Sequence, residues 1–201
     1  GSSSTIGHGL SSAPGMILVK RISGSDSWTV YHKVTGAGKY FRLDNNSAEA
    51  SNSNTWANTT PTSTTFSVNH DDTNASGVTF IAYCFADVPG YQKIGEYRGN
   101  GSTDGPFVYT GFKPSFIFYK TTGTDNWRII DHKRLGYNPN NSLLQPSITQ
   151  ADSDQTWHDI LSNGWKLRTS DAGDNADGTS YIYMAIGQTI VGSNNVVPTA
   201  R

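Results

Sequence analysis

Residues 73–86 read TNASGVTFIAYCFA, and residues 174–187 read DNADGTSYIYMAIG. Each stretch is a turn rich in Asn, Asp or Gly that leads into a run of apolar, β-branched and aromatic residues. Apolar residues at consecutive positions indicate a β-strand that is covered on both faces and central in its sheet. The sequence therefore predicts the same turn and the same central strand twice, 101 residues apart (174 − 73).

The repetition extends over both halves of the chain. Pro14 precedes GMILVK and Pro114 precedes SFIFYK, an offset of 100 (114 − 14). A period of this length indicates a duplicated module and not a solenoid, whose repeats are far shorter. Three further anchors follow in the same order, at offsets of 99 or 101: Trp28 with Trp127, Trp56 with Trp157, and Asn74 with Asn175.

The order of strands and turns predicts the fold class. Each copy contains a β-rich run, a polar turn, a strand that starts at tryptophan and further short strands separated by turn residues. We expect an all-β, antiparallel β-sandwich built from two homologous repeats of about 100 residues. The first module is expected to span residues 1–87 and the second residues 88–201, packed closely because the connector DVPG is only a tight turn. Asn74 and Asn175 suit the left-handed or turn geometry that leads into the long strand.

The composition narrows the possible classes of function. The 201 residues carry a formal net charge of −1, with 15% charged residues and 21 glycines. With this net charge, the chain lacks the excess of positive charge that attracts nucleic acids or acidic membranes. No apolar run in the sequence has the length of a membrane span. The single cysteine, Cys84, excludes an intrachain disulfide, and its strand context favours a buried, inert thiol.

Sequence patterns of catalysis are lacking. The two glutamates, Glu49 and Glu96, lie in polar contexts, whereas a glycosidase needs two carboxylates that flank the scissile bond. The stretch GNGSTDG at 99–105 lacks the lysine of a phosphate-binding loop and is interpreted as a hairpin loop. We therefore expect a protein that is not an enzyme, with no catalytic residue and no cofactor.

Acidic turns offer the alternative of a calcium site. Several oxygen ligands on one loop could hold calcium, but the spacing in DAGDNADG does not match the EF-hand pattern, so a plain turn is favoured. His32 and His132 follow the tryptophan strands without a Cys/His cluster that would bind a transition metal. We expect no bound metal. The acidic turn residues are Asp71, Asp72, Asp171, Asp174 and Asp177.

The tryptophans are candidates for core packing or for stacking on sugar rings. Aromatic side chains contribute large apolar surfaces to cores and interfaces alike. Because both copies must fold whereas one copy alone could bind, we expect Trp28 and Trp127 in the core. Trp56 and Trp157 lie in polar surroundings, where core packing is favoured but both roles stay open.

Four segments carry a resemblance to a known kind of domain: GNGSTDGPFVYTGFKPSFIFYK, LSNGWKLRT, TSYIYMAIG and the closing VGSNNVVPTAR. They resemble a repeat-containing domain of bacteriophage tail and virion structural proteins, those of marine phages especially. The resemblance covers essentially the whole chain, and GNGSTDGPFVYTGF is its specific part. The first copy departs from it, since it keeps only GSSSTIGHG at its start. We interpret this as a shortened leading strand.

The resemblance implies a non-enzymatic tail-fibre or virion domain, located outside the cell, that recognises a glycan or protein of the host surface. It implies binding to other virion proteins and assembly into a homotrimer. It implies neither binding of nucleic acid nor insertion into a membrane. Two alternatives stay open: a purely architectural virion or decoration domain, and a secreted carbohydrate-binding module.

The long polar loops of the second copy are the expected place of a ligand site. They combine aromatic, amide and imidazole groups, which can stack on a glycan or hydrogen-bond to it. The alternative is an ordinary solvated loop. The candidate ligand-binding residues are Tyr137, Asn138, Asn140, Trp157 and His158.

Overall fold

The computed structural model describes residues 2–134 and 138–188, apart from the side chains of Asn140 and Asn141. Strands account for 42% of the residues and helices for 4%, and the sheets are antiparallel. The predicted all-β sandwich class is therefore confirmed. The chain divides into two compact units, residues 1–87 (unit 1) and 88–201 (unit 2). Close packing of the two modules stays a prediction.

The described part of unit 1 contains short strands and one short helix: β1 (Ser4–Gly7), β2 (Met16–Arg21), β3 (Thr29–His32), β4 (Lys39–Arg42), β5 (Ala50–Ser51), β6 (Thr65–Val68), α1 (Asp71–Asn74) and β7 (Phe80–Phe85). Five strands form a sheet in the order β5–β4–β3–β2–β7, and β1 pairs with β6. All these pairings are antiparallel.

The core of unit 1 is centred on Trp56, which is 1% exposed. Its ring meets the ring of Tyr31 edge-on at 5.6 Å, and its indole N–H donates to the carbonyl oxygen of Lys39 at 3.1 Å. Burial of such a ring with its polar atom paired stabilises the unit, and the core role of Trp56 is confirmed. The buried cluster consists of Ile17, Val19, Tyr31, Ala37, Trp56, Phe66 and Val68.

The described part of unit 2 contains β8 (Gln92–Arg98), β9 (Phe107–Tyr109), β10 (Pro114–Thr121), β11 (Arg128–Asp131), β12 (Asn140–Leu143), β13 (Ser153–Leu161), β14 (Gly164–Leu167), α2 (Ala172–Asn175) and β15 (Ser180–Gly187). They form two four-stranded antiparallel sheets, in the orders β11–β10–β15–β8 and β12–β13–β14–β9. Both sheets contribute side chains to one core, which contains Trp165 and the four tyrosines Tyr97, Tyr119, Tyr181 and Tyr183.

The repeated long strand is central in unit 2 and lies at a sheet edge in unit 1. β15 lies between β10 and β8, whereas β7 pairs with β2 alone among the described strands. Ile81 and Tyr83 are 37% and 44% exposed. The prediction of a central, covered strand is therefore confirmed for β15 and wrong for β7, because no described strand occupies in unit 1 the place that β8 takes in unit 2. Cys84 is likewise only partly buried.

The first pair of tryptophans diverges in the same way. Trp127 is 1% exposed and stacks on Phe118, with ring centroids 4.6 Å apart, so its predicted core role is confirmed. Trp28 is partly exposed and stacks at 6.1 Å on Tyr83, which is itself exposed on β7. The predicted core role of Trp28 is therefore wrong, since its stacking partner belongs to an edge strand.

In the turn before the long strand, glycines and not the asparagines adopt the left-handed conformation. These are Gly77 (φ 70°) and Gly178 (φ 68°). Glycine adopts it without steric cost, because it has no Cβ. Asn74 and Asn175 instead end the short helices α1 and α2, which the sequence patterns did not predict.

Candidate functional site

Four of the five predicted ligand residues, Asn138, Asn140, Trp157 and His158, lie around the pairing of β12 with β13. Asn140 is the Cα partner of His158 across these strands. The side-chain amide of Asn138 donates to the carbonyl oxygen of Ile160 at 2.9 Å and accepts from its N–H at 2.8 Å. Asn138 thus serves the backbone of the protein itself. Tyr137 lies outside the described residues.

Trp157 and His158 are consecutive residues of β13 that differ in burial. His158 is 1% exposed, and its Nε2 lies 3.2 Å from the hydroxyl of Tyr119 and 3.3 Å from Oδ1 of Asp174. Trp157 is partly buried against the core, and its ring lies 5.6 Å from the guanidinium carbon of Arg128. A ligand can reach the indole of Trp157 from solvent, but the imidazole of His158 is an internal group.

A buried cluster of charged and polar groups surrounds Asp174, which is 0% exposed. The Tyr119 hydroxyl donates to one carboxylate oxygen of Asp174, and the Arg128 guanidinium donates to the other. Arg128 also contacts the carboxylates of Asp171 at 3.2 Å and Asp125 at 3.4 Å. A buried carboxylate with these partners is compensated in charge and in hydrogen bonds, as burial of a charge requires.

The environment fixes the charge state of this cluster. Burial alone would raise the pKa of Asp174, but its hydrogen bond with His158 and its interactions with His158 and Arg128 outweigh burial and lower that pKa. Burial and the neighbouring carboxylate of Asp174 raise the pKa of Tyr119 well above its ordinary value. At neutral pH the cluster therefore contains an anionic Asp174, a cationic Arg128 and a neutral Tyr119. All three groups are buried, so the cluster is an internal ion pair with a hydrogen-bonded tyrosine.

Unit 1 also has an arginine paired with an aspartate of its short helix, but the two residues come from other positions of the repeat. Arg42, from β4, pairs with Asp72 and donates to the hydroxyl of Thr29 at 2.8 Å. In the alignment Thr29 stands opposite Arg128 (128 − 29 = 99), and Asp72 stands opposite Gly173 (173 − 72 = 101). The charge pair is thus present in both units, although neither of its members occupies the same position.

Glycine at position 173 makes room for the guanidinium in unit 2. A Cβ atom on Gly173 would overlap the guanidinium of Arg128 and the carboxylate of Asp125. The helix still begins at a capping residue, since the carboxylate of Asp171 accepts from the N–H of Gly173 at 2.9 Å. Asp171 is therefore engaged in capping and ion pairing, and Asp174 in ion pairing.

An exposed aromatic strand was missed in the sequence. Phe107 and Tyr109 are 43% and 58% exposed, while Val108 between them is 5% exposed. Residues two apart in a strand share a face, so both rings lie on the outer side of β9. The ammonium group of Lys93 lies 5.1 Å from the ring centroid of Tyr109 and donates to its carbonyl oxygen at 2.9 Å. Within GPFVYTG, the alternation of aromatic and aliphatic residues indicates a strand with two different faces, but not which face is exposed.

Among residues 2–134 and 138–188, no group of three or more His, Cys, Asp or Glu side chains is placed to hold a metal ion. No helix in the same part of the chain has the length and hydropathy needed to cross a membrane.

A protein-family model matches residues 1–189, and it is described as a domain of unknown function, DUF7483. The chain belongs to that family. Because the match covers unit 1 and the described strands of unit 2, the DUF7483 domain comprises both copies of the repeat. No curated protein and no solved structure matches the chain.

Proposed function

We propose that the protein is a non-enzymatic phage tail or virion domain that binds a glycan or protein of the host surface, and that β9 is its contact surface. The observation that carries this proposal is the pair of exposed rings of Phe107 and Tyr109 on one face of an edge strand. Both rings lie in GNGSTDGPFVYTGF, the segment that carries the resemblance to phage proteins.

The surroundings of the two rings suit an uncharged, hydroxyl-rich ligand. The Lys93 ammonium lies beside Tyr109, and Lys166 forms a 2.6 Å ion pair with Asp104, whose side chain is exposed. These groups supply hydrogen-bond donors and acceptors near the rings. Lys166 is the Cα partner of Phe107 on β14, so this pair lies next to the aromatic strand. Aromatic faces stack on apolar ligand surfaces while such polar neighbours fix the orientation of the ligand.

Trp157 is a second candidate contact in unit 2. Its indole is partly exposed, and the sequence analysis selected it for ligand binding. The guanidinium of Arg128 lies against its ring, so the indole also shields the buried cluster. We propose Trp157 as a supporting contact, with Phe107 and Tyr109 as the principal ones.

Binding of the whole chain to an array of neutral and acidic glycans tests the proposal. We expect Phe107→Ser and Tyr109→Ser each to weaken binding about tenfold, the typical order for losing one stacked ring. Trp157→Ala is expected to reduce binding without unfolding the protein. Tyr83→Ser is the matched control, because Tyr83 is a similarly exposed aromatic residue of unit 1 at 44%.

Four results would contradict parts of the proposal. Glycan binding that survives both substitutions on β9 would place the contact surface elsewhere. Binding to purified virion proteins together with no binding to glycans or cells would favour a purely architectural role. Binding to free polysaccharide by a protein whose gene lies outside phage genes would favour a secreted carbohydrate-binding module. A large loss of stability in Trp157→Ala would make Trp157 a core residue.

A further inference from the structure

Unit 1 contains a cavity of about 480 Å³ beside β7. Its walls include Phe66 of β6, Thr73 of α1, and Phe80, Ala82 and Cys84 of β7. Binding clefts in proteins have volumes of roughly 300–1,000 Å³, so this cleft at a sheet edge is large enough to receive a side chain.

The equivalent place in unit 2 is filled by a side chain from β8. The ring of Tyr97 stacks on Tyr181 at 4.8 Å and meets Trp165 edge-on at 6.0 Å. Its hydroxyl donates to the carbonyl oxygen of Asp174 at 2.9 Å. The residues of unit 1 that align with these three neighbours are Phe80, Phe66 and Thr73, at offsets of 101, 99 and 101, and all three line the cavity.

A second difference enlarges the cavity. Ala82 stands where unit 2 has Tyr183 (183 − 82 = 101), whose ring packs edge-on against Trp165 at 4.9 Å. In unit 2 that tyrosine also leaves no room opposite it, since a Cβ on Gly95 would approach the Tyr183 hydroxyl to 2.8 Å. With alanine at this position, unit 1 can accept a larger residue than glycine in the facing strand.

The backbone of β7 offers hydrogen bonds along its outer edge. The N–H of Ile22 donates to the carbonyl oxygen of Thr79 at 2.9 Å, so alternate residues from Thr79 onwards face β2. Phe80, Ala82 and Cys84 therefore direct their N–H and C=O groups away from β2, towards an edge with no partner strand among the described residues. In unit 2 the aligned residues Tyr181, Tyr183 and Ala185 are the Cα partners of β8 residues Tyr97, Gly95 and Lys93.

The first described residues of unit 1 lie at the position that, in unit 2, directly follows β8. The side-chain amide of Asn74 donates to the carbonyl oxygen of Ser2 at 2.6 Å. In unit 2 the amide of Asn175 donates in the same way to the carbonyl oxygen of Ser102 at 2.8 Å, and only three residues separate Ser102 from the end of β8 at Arg98. Polypeptide attached ahead of Gly1 would therefore reach the outer edge of β7 within a few residues.

We propose that β7 is an acceptor edge for one more antiparallel strand, which is supplied by polypeptide joined to the amino side of Gly1 and seats an aromatic side chain in the cavity. The strand matches β8 in chemistry: an apolar residue faces Tyr83, as Ile94 faces Met184, and an aromatic residue faces Phe80, as Tyr97 faces Tyr181. Backbone pairing supplies affinity, and the cavity selects the aromatic residue. This inference does not depend on the proposed function.

The unit 2 sequence itself supplies the test strand. Residues 92–100, QKIGEYRGN, are copied directly ahead of Gly1, so that Gly1 takes the place that Gly101 has after Asn100. Two controls carry the same addition, one with the tyrosine of the copied segment changed to serine (the equivalent of Tyr97→Ser) and one with the nine residues scrambled. The readouts are amide hydrogen exchange in β7 and the rate at which a thiol reagent modifies Cys84.

Pairing with the added strand should slow exchange of the Phe80, Ala82 and Cys84 amides by roughly tenfold or more, as ladder formation protects amides from local opening. Modification of Cys84 should slow by a similar factor, while the serine and scrambled controls should stay close to the unaltered chain. Unchanged exchange in β7 of a folded fusion protein would overturn the proposal. Should the fusion fail to fold, free QKIGEYRGN peptide is added to the unaltered chain and the same two rates decide.

Other occupants give different results in the same experiment. If a second copy of the chain occupies the edge, the unaltered chain will dimerise in light scattering and the fusion will not, which would overturn supply from the amino side of Gly1. If a small apolar molecule is the natural occupant, the fusion will leave the β7 amides unprotected, which would overturn a strand as the occupant.

Discussion

β7 of unit 1 and β15 of unit 2 are copies of one strand in two environments. Ile81 and Tyr83 are 37% and 44% exposed in β7, whereas the aligned Ile182 and Met184 are 0% and 5% exposed in β15. Their own sequences are similarly apolar, so composition does not explain the difference. Burial of this strand is decided by its neighbours, because β15 has a strand on each side and β7 has β2 alone among the described strands.

The helices α1 and α2, which precede β7 and β15, each carry an aspartate that pairs with an arginine, although the paired residues occupy different positions of the repeat. Unit 1 places Arg42 beside Asp72, each with 18% of its side chain exposed. Unit 2 places Arg128 beside Asp174, with 7% and 0% exposed. The same interaction is thus partly solvated in one unit and internal in the other, and its free energy should differ accordingly.

The largest expected effect contrasts Trp127 with Trp28. Trp127→Ala should lower the free energy of unfolding by about 3–5 kcal/mol, because it empties a buried site and removes the stack on Phe118. Trp28→Ala should cost less than half as much, since Trp28 is partly exposed. Urea unfolding of both variants measures the difference. Equal losses of unfolding free energy in the two variants would mean that Trp28 contributes to the core of unit 1 as much as Trp127 does to that of unit 2.

The next effect contrasts the two ion pairs. Asp174→Ala leaves the Arg128 guanidinium with too little compensating charge in a buried site, so it should cost about 3 kcal/mol or more. Asp72→Ala, the matched change at the partly exposed pair of unit 1, should cost about 0–1 kcal/mol. Thermal and urea unfolding of the two variants provide the measurement. A loss in Asp72→Ala as large as that in Asp174→Ala would show that partial exposure does not weaken the pair.

The smallest effect is a pH dependence that is specific to unit 2. The pKa of Asp174 is lower in the folded protein than its ordinary value, which is about 3.9 when unfolded. The carboxylate therefore stabilises unit 2 above that pH, and its contribution is lost as the pH falls towards the folded pKa. Hydrogen exchange in β10 and β15, corrected for intrinsic rates, should show the loss below about pH 4. Asp174→Asn should flatten this dependence, and a variant with the wild-type slope would assign it to another carboxyl group.

Much of the fold followed from local patterns. The repeat was readable because Trp28 and Trp127, or Asn74 and Asn175, recur at nearly constant offsets. Runs such as SFIFYK have a strong preference for strands, and polar turns separate them, which predicts an antiparallel all-β class. The helices α1 and α2 were missed because four residues are too few to show a helical period.

The candidate site was less predictable. His158 lies in a polar stretch that resembles a loop, yet its side chain is buried against Tyr119. The two residues come from strands distant in sequence, so no local pattern predicts their contact. Phe107 and Tyr109 alternate with a buried valine, but that pattern alone does not say which face of β9 is covered. The Arg128–Asp174 pair joins residues 46 positions apart, and no local signal announces such a contact.

The sequence by itself determined that this chain is a duplicated, antiparallel β protein, because repeat spacing, strand propensity and turn chemistry are local properties of the residues. Only the tertiary structure decided which copy of each residue is buried, since burial depends on strands and side chains brought in from elsewhere in the chain. The cavity beside β7 follows from both. The sequence of β7 is apolar on both faces, as in a central strand, but β7 lies at a sheet edge. Its apolar residues there line a cavity, and Tyr97 fills the equivalent space in unit 2.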